Sequence, residues 1–133
     1  MSVHHLGLFR DPLSLQPVEY YNNLPFARPI SFSSSTSTKS NTAAASLALL
    51  LDPVIATGGT AAAAIQTLKE WGAERVILIS ILGAHVGVTK AAEEWAEGTE
   101  IWIGGIDNEL NDHGMIKPGL GDIGDRLFLT LGK

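Results

Sequence analysis

The chain has 133 residues, 45% of them hydrophobic, with 14 acidic against 9 basic residues and a formal charge of −5. One domain of this length can bury a core, while the acidic balance argues against duplex nucleic acid, whose binding rests on many Lys and Arg contacts to phosphate. The sequence contains no cysteine, which excludes disulfides and zinc–thiolate centres.

No apolar run approaches the roughly 18 residues that a membrane span needs. The start, Met1-Ser2-Val3-His4-His5, lacks a basic segment followed by a long apolar stretch, so no secretory signal is expected and the chain reads as cytoplasmic. Net negative charge does not exclude a small phosphorylated ligand, because backbone N–H groups at a helix N-terminus can hold an anion without basic side chains.

In chain order, residues 1–30 mix short apolar stretches with turn residues. Val3–Phe9 and Val18–Tyr21 flank Asp11-Pro12 and Gln16-Pro17, a pattern that predicts a strand, a turn and a second extended arm. Residues 31–46, SFSSSTSTKSNTAAAS, form a low-complexity Ser/Thr run with little to bury. It fits a solvated loop, a phosphorylatable tether, or intron-derived sequence interrupting a domain.

Residues 47–133 alternate regularly. The apolar run LALLL (47–51) is expected to be a strand covered on both faces. A helix is expected over 60–71: Ala61, Ala64, Ile65, Leu68 and Trp71 share a stripe, Thr60 can cap, and Gly72 stands where a helix stops. VILISIL (76–82) predicts a second buried strand, and Val88, Ala91, Ala92 and Trp95 a second amphipathic helix ending near Gly98. IWIGGI (101–106) predicts a third strand. This alternation implies right-handed crossovers and a parallel sheet, an α/β architecture. Trp71, Trp95 and Trp102 fall on apolar faces and are expected in the core.

Ligands of such sheets sit beyond the carboxyl ends of the strands, so the segments to read are Asp52–Thr60, Gly83–Gly87 and Asp107 onward. The first, Asp52-Pro53-Val54-Ile55-Ala56-Thr57-Gly58-Gly59-Thr60, runs from a strand into a helix. Successive N–H groups from Thr57 to Thr60 can converge on an anion at the positive helix end, with two threonine hydroxyls added. Asp52 stands where a carboxylate can accept hydrogen bonds from sugar hydroxyls. The loop lacks the Gly-Lys-[Ser/Thr] ending of a Walker loop. By spacing alone it reads equally as a tight turn that needs glycine sterically.

The second loop runs from Asn111 to Arg126 and is dense in glycine. Gly119, Gly121 and Gly124 allow it to wrap a flat ligand and offer main-chain donors and acceptors. Asp122 and Asp125 are candidates for a metal contact or for pairing with Arg126. His4, His5 and His85 show no metal-ligand spacing, and His113 reads as a solvated loop histidine.

Together these segments resemble the uracil phosphoribosyltransferase family. LLDPVIATGGTAAAAIQTLKEWG is similar to its loop for 5-phosphoribosyl 1-diphosphate (PRPP), and PGLGDIGD (118–125) to its uracil-recognition stretch, with Ile123 where alanine is common and Lys117 where an apolar residue is usual. Gly7-Leu8-Phe9-Arg10-Asp11 and LQPVEYYNNLP (15–25) resemble the strand and arm hairpin that precede the PRPP loop.

The resemblance implies a type I, Rossmann-like phosphoribosyltransferase fold and the conversion of uracil and PRPP to UMP and diphosphate. It implies PRPP contacts at Arg10, Asp52, Pro53, Val54, Ile55, Ala56, Thr57, Gly58, Gly59, Thr60 and Asp122. Uracil contacts fall at Ile116, Gly121, Asp122 and Ile123, with Asp52 and Asp122 as the catalytic positions. Further implications are Mg²⁺ with PRPP, no metal site built from protein side chains alone, GTP as an allosteric activator, and a homo-oligomer or a partner.

The resemblance covers about half of the family's usual length. The other half carries a basic diphosphate-binding loop and helices that help form the dimer. The whole chain is expected to be one partial domain, 1–133. A non-catalytic nucleotide-binding or assembly module, like the C-terminal domain of two-domain uridine kinases, is the alternative.

Overall fold

The computed structural model describes residues 2–11, 13, 14, 16–25 and 44–130. Strands β1 (Leu6–Arg10) and β2 (Pro17–Asn22) form an antiparallel hairpin. Its turn is closed by Asp11, whose carboxylate accepts hydrogen bonds from the Ser14 backbone N–H at 2.9 Å and from the Ser14 hydroxyl at 2.5 Å. These same bonds hold the Asp11 carboxyl below its ordinary range.

Strands β3 (Ala48–Leu51) and β4 (Val54–Ile55) both run parallel to the long strand β5 (Val76–Ala84) and keep one register with it, from Ala48 opposite Val76 to Ile55 opposite Gly83. They are one strand interrupted at Asp52-Pro53, where proline has no N–H to give a ladder. The Pro53 carbonyl instead accepts from the N–H groups of Ile81 and Leu82, at 3.1 and 3.3 Å. Helix α1 (Gly59–Trp71) crosses from β4 to β5, and α2 (His85–Glu94) crosses from β5 to β6 (Thr99–Asp107), which pairs along the whole of β5. The architecture is the α/β alternation that the sequence predicts. The chain closes with a two-stranded ribbon, β7 (Glu109–Leu110) and β8 (Ile116–Lys117), and a short helix α3 (Ile123–Phe128).

The core lies between α1, α2 and one face of the sheet, with Ile55, Ile65, Val76 and Leu78 almost wholly buried and Ala61, Leu68 and Ala91 around them. The first hairpin packs on α1: Leu24 lies against the core, and the indole N–H of Trp71 donates to the Pro25 carbonyl at 2.7 Å.

Several expectations change. Thr60 is not the helix cap; the N-cap of α1 is Gly58, in the left-handed conformation and with no side-chain cap bond. Gly72 does end the helix, at φ 100°, its N–H returning to the last carbonyls. The strands are not covered on both faces among the described residues, since Leu49 and Leu51 of the LALLL run are exposed. Trp71 and Trp95 pack against the core, but Trp102 is 64% exposed on the other face. Its apolar neighbours suit a core position, but no described layer covers that face. Of the Ser/Thr run, residues 31–43 lie outside the described residues. Ala45, near its end, forms a parallel bridge with Ala73.

Candidate functional site

The first loop turns from β4 into α1 through Ala56, Thr57 and Gly58. Gly58 sits at φ 77°, which side chains disfavour, and a Cβ there would stand 2.2 Å from the carbonyl oxygen of Gly87 in the first turn of α2. A Cβ on Gly87 would in turn stand 2.0 Å from the carbonyl oxygen of Ala56. The two glycines let the loop and the helix touch backbone to backbone. The Gly83–Gly87 segment therefore acts as a buttress under the loop where it enters the positive end of α1.

Asp52 stands at the strand interruption, with its backbone N–H bonded to the Ile79 carbonyl at 3.2 Å. Burial raises its carboxyl above the ordinary range, opposed in part by a hydrogen bond from the backbone N–H of Val54. A carboxylate kept partly out of water accepts hydrogen bonds from ligand hydroxyls more strongly than one in bulk solvent.

The second loop is organised by Asn111, whose side-chain oxygen accepts from the N–H groups of His113 at 3.0 Å and Met115 at 2.9 Å. That turn presents Gly114, at φ 70°, where a Cβ would stand 2.7 Å from Arg10 Nη1 and 3.1 Å from Thr57 Cγ2. Arg10 donates to the carbonyls of Gly114 at 3.1 Å and His113 at 3.4 Å. Asp107, at the end of β6, accepts from the Gly119 N–H at 3.0 Å and fixes the start of the glycine stretch. Asp122 is the N-cap of α3, its carboxylate accepting from Gly124 N–H at 2.8 Å and Asp125 N–H at 3.1 Å.

These parts converge. A cleft of about 170 Å³ is walled on one side by Asp52, Val54 to Gly58, Thr60 and Ala61, and on the other by Met115, Gly121, Asp122 and Ile123, with Arg10 at the seam. Of the positions read from the sequence, Pro53, Gly59 and Ile116 stand outside this lining. Pro53 is spent on the strand interruption, Gly59 is buried as the first residue of α1, and Ile116 is buried in β8.

Arg126 does not pair with Asp122 or Asp125, as one reading of the loop had it; its Nε donates to the Leu120 carbonyl, and Asp125 accepts from the Thr130 hydroxyl at 2.6 Å. Among the described residues no three His, Asp or Glu side chains gather to hold a metal.

Sequence reasoning gave no role to Met115, Asn111 or Asp107. Met115 faces the cleft from a turn whose shape depends on Gly114 and Asn111, and only the spacing Asn-x-x-Gly-Met hinted at it. Mg²⁺ fits this site only as an ion carried chiefly by ligand oxygens: among the described residues Asp52 is the one partly buried carboxylate in the lining that is not committed to a helix cap.

Comparison with known proteins places the chain in a family. The family model described as uracil phosphoribosyltransferase (UPRTase) matches residues 1–130. A uracil phosphoribosyltransferase of Roseiflexus castenholzii is 45% identical over 128 residues, covering 96% of this chain and 54% of that protein. One from Finegoldia magna is 44% identical over 131 residues, with the same two coverages of 96% and 54%. Among solved structures, the AQ2163 protein of Aquifex aeolicus superposes with a TM-score of 0.72 at 31% identity, over 94% of this chain and 52% of that one. The chain thus spans about half the length of the curated relatives it matches. With the family match running over both loops and the hairpin that supplies Arg10, the chain belongs to the uracil phosphoribosyltransferase family.

Proposed function

We propose that the cleft binds PRPP and uracil and serves the reaction in which uracil N1 displaces diphosphate from C1 of PRPP, yielding UMP. One observation carries this reading: Arg10, Asp52, Thr57 to Thr60 and Gly121 to Ile123, scattered over the sequence, face or flank one concavity. The N–H groups of Thr57 to Thr60 and the positive end of α1 hold the 5-phosphate. Asp52 accepts hydrogen bonds from the ribose hydroxyls, which orients the sugar and offsets the positive charge that grows on it as the leaving group departs. Asp122, tied down by its two N–H donors, keeps the Gly121–Ile123 backbone in place to address the flat base. Bound Mg²⁺ would neutralise charge on the diphosphate and ribose oxygens. GTP as activator and a cytoplasmic setting belong to the same proposal, as does the single partial domain 1–133.

A second reading has its own observation. Among the described residues Arg10 is the sole cationic side chain in the lining, and it is engaged with two backbone carbonyls. A site so built holds a ribose 5-phosphate group better than it steadies a departing diphosphate, which favours a binding module with little turnover. Losing one well-placed electrostatic contact costs about 10²- to 10³-fold in rate. Calorimetric titration of UMP and PRPP, followed by an assay of UMP formation on the same sample, separates the readings. Binding with turnover comparable to a full-length relative upholds the enzyme; binding with turnover at least ~10²-fold lower upholds the module; binding of neither ligand overturns both.

A further inference from the structure

The stretch from Gly119 to Asp122 leads into the cleft wall without helix or strand, and two of its glycines are left-handed, Gly119 at φ 55° and Gly121 at φ 78°. Glycine backbone has the most conformational freedom to lose. Its N–H and C=O groups can read a ligand only when something else holds their direction.

Two charged side chains that stand outside the lining grip this stretch. Asp107, half-buried at the end of β6, accepts from the Gly119 N–H at 3.0 Å. Its own position is fixed because β6 pairs with β5 there, Asp107 opposite Ala84. Arg126, in the last turn of α3, donates through Nε to the Leu120 carbonyl. Its guanidinium also lies along Gly121, with Nε and Nη2 at 3.7 and 3.9 Å from where a Cβ on that glycine would stand. The carboxylates nearest in sequence are occupied elsewhere, Asp122 by the Gly124 and Asp125 N–H groups and Asp125 by the Thr130 hydroxyl. An anion thus holds one peptide donor and a cation holds the next carbonyl, and bonds with a charged partner are the strong ones.

We propose that Asp107 and Arg126 are positioning residues for the base. Together they set the Gly119–Asp122 backbone, before any ligand arrives, in the conformation that meets a flat ring bearing alternating donors and acceptors. Ordering the wall in advance raises affinity by removing that cost from binding. The inference rests on the reading that this wall takes uracil. It gives the two residues no part at the phosphate end, where the loop is held by its contact with Gly87.

The test compares Asp107→Ala, Asp107→Asn, Arg126→Ala and Arg126→Lys with the parent by calorimetric titration of UMP and of ribose 5-phosphate. Each alanine variant is expected to lose about 10- to 100-fold in UMP affinity while ribose 5-phosphate stays within about twofold. Asp107→Asn keeps an acceptor oxygen in place and should recover most of the loss. Arg126→Lys puts a methylene where Nε stands and should not. In the ligand-free chain, the Gly119 amide should exchange at least about 10-fold faster in Asp107→Ala.

Equal losses for the two ligands overturn the proposal, since they would mark a general structural role. Unchanged Gly119 exchange in Asp107→Ala overturns it as well, without reference to any ligand. If an alanine variant does not fold, Arg126→Lys carries the test, and UMP affinity equal to the parent's in that variant refutes the clamp. A parent that binds UMP no more tightly than ribose 5-phosphate overturns the base reading itself, and this proposal with it.

Discussion

The guanidinium of Arg10 and the carbonyl of Gly114 lie 104 positions apart in sequence and meet at 3.1 Å. The contact joins the end of the first hairpin to the turn that carries Met115 into the cleft, with Thr57 packed on the same glycine. Arg10 therefore has two tasks: it brings a positive charge to the seam, and it fastens one wall of the cleft to the other.

Replacing Arg10 separates those tasks. Arg10→Ala is expected to weaken UMP binding about 10- to 100-fold, the usual worth of hydrogen bonds from a charged donor. Arg10→Lys keeps the charge but not the fork that reaches two carbonyls. It should retain part of the affinity for ribose 5-phosphate while losing most of the extra affinity that uracil confers. Titration of both ligands on both variants checks this; equal losses for the two ligands in Arg10→Lys would show that the latch is not needed.

Gly58 and Gly87 form the close backbone contact under the phosphate loop. Gly87→Ala, whose Cβ would collide with the Ala56 carbonyl, and Gly58→Ala, which adds a disfavoured φ, are each expected to destabilise the fold by about 1–3 kcal/mol or more. Thermal melts should show it, and phosphate-group binding should fall further than stability explains, because the loop must move to accept the methyl.

Asp52 carries a pH signature. Its folded carboxyl titrates above the ordinary value near 3.8, so between those two values the folded state binds more protons than the unfolded state. Stability should therefore fall as pH rises through that window, and the contribution stays unfavourable at neutral pH. Asp52→Asn should remove this slope and raise the melting temperature at neutral pH while weakening ligand binding. A variant less stable than the parent at neutral pH would contradict the burial account.

Asp122 caps α3, and Asp122→Ala should cost about 1 kcal/mol locally. The expected readout is faster hydrogen exchange at the Gly124 and Asp125 amides, which lose their acceptor, together with weaker UMP binding and an unchanged core.

Much of this was legible in the sequence, and the exceptions share a cause. The Ala61, Ile65, Leu68 stripe and the Gly72 stop announced α1 because they are local. By local rules Thr60 suits the cap, since threonine is a good capping residue; the backbone contact with Gly87 instead selects Gly58, and no local rule contains Gly87. LALLL reads as a doubly covered strand because a strand's apolar residues say what should be covered and not what covers it. The cleft followed from two loop motifs, but the Arg10–Gly114 fastening could not, since it depends on where a hairpin at one end of the chain comes to rest.

That fastening also bears on the order of assembly. The β3–α1–β5–α2–β6 unit is built from neighbours in sequence, and such contacts close small loops at low entropic cost. The hairpin, though earliest in the chain, can make its bond to Gly114 only once the turn at Asn111–Met115 exists. Ligand binding should thus be the last property to appear in refolding, arriving after the far-ultraviolet signal of the helices is complete.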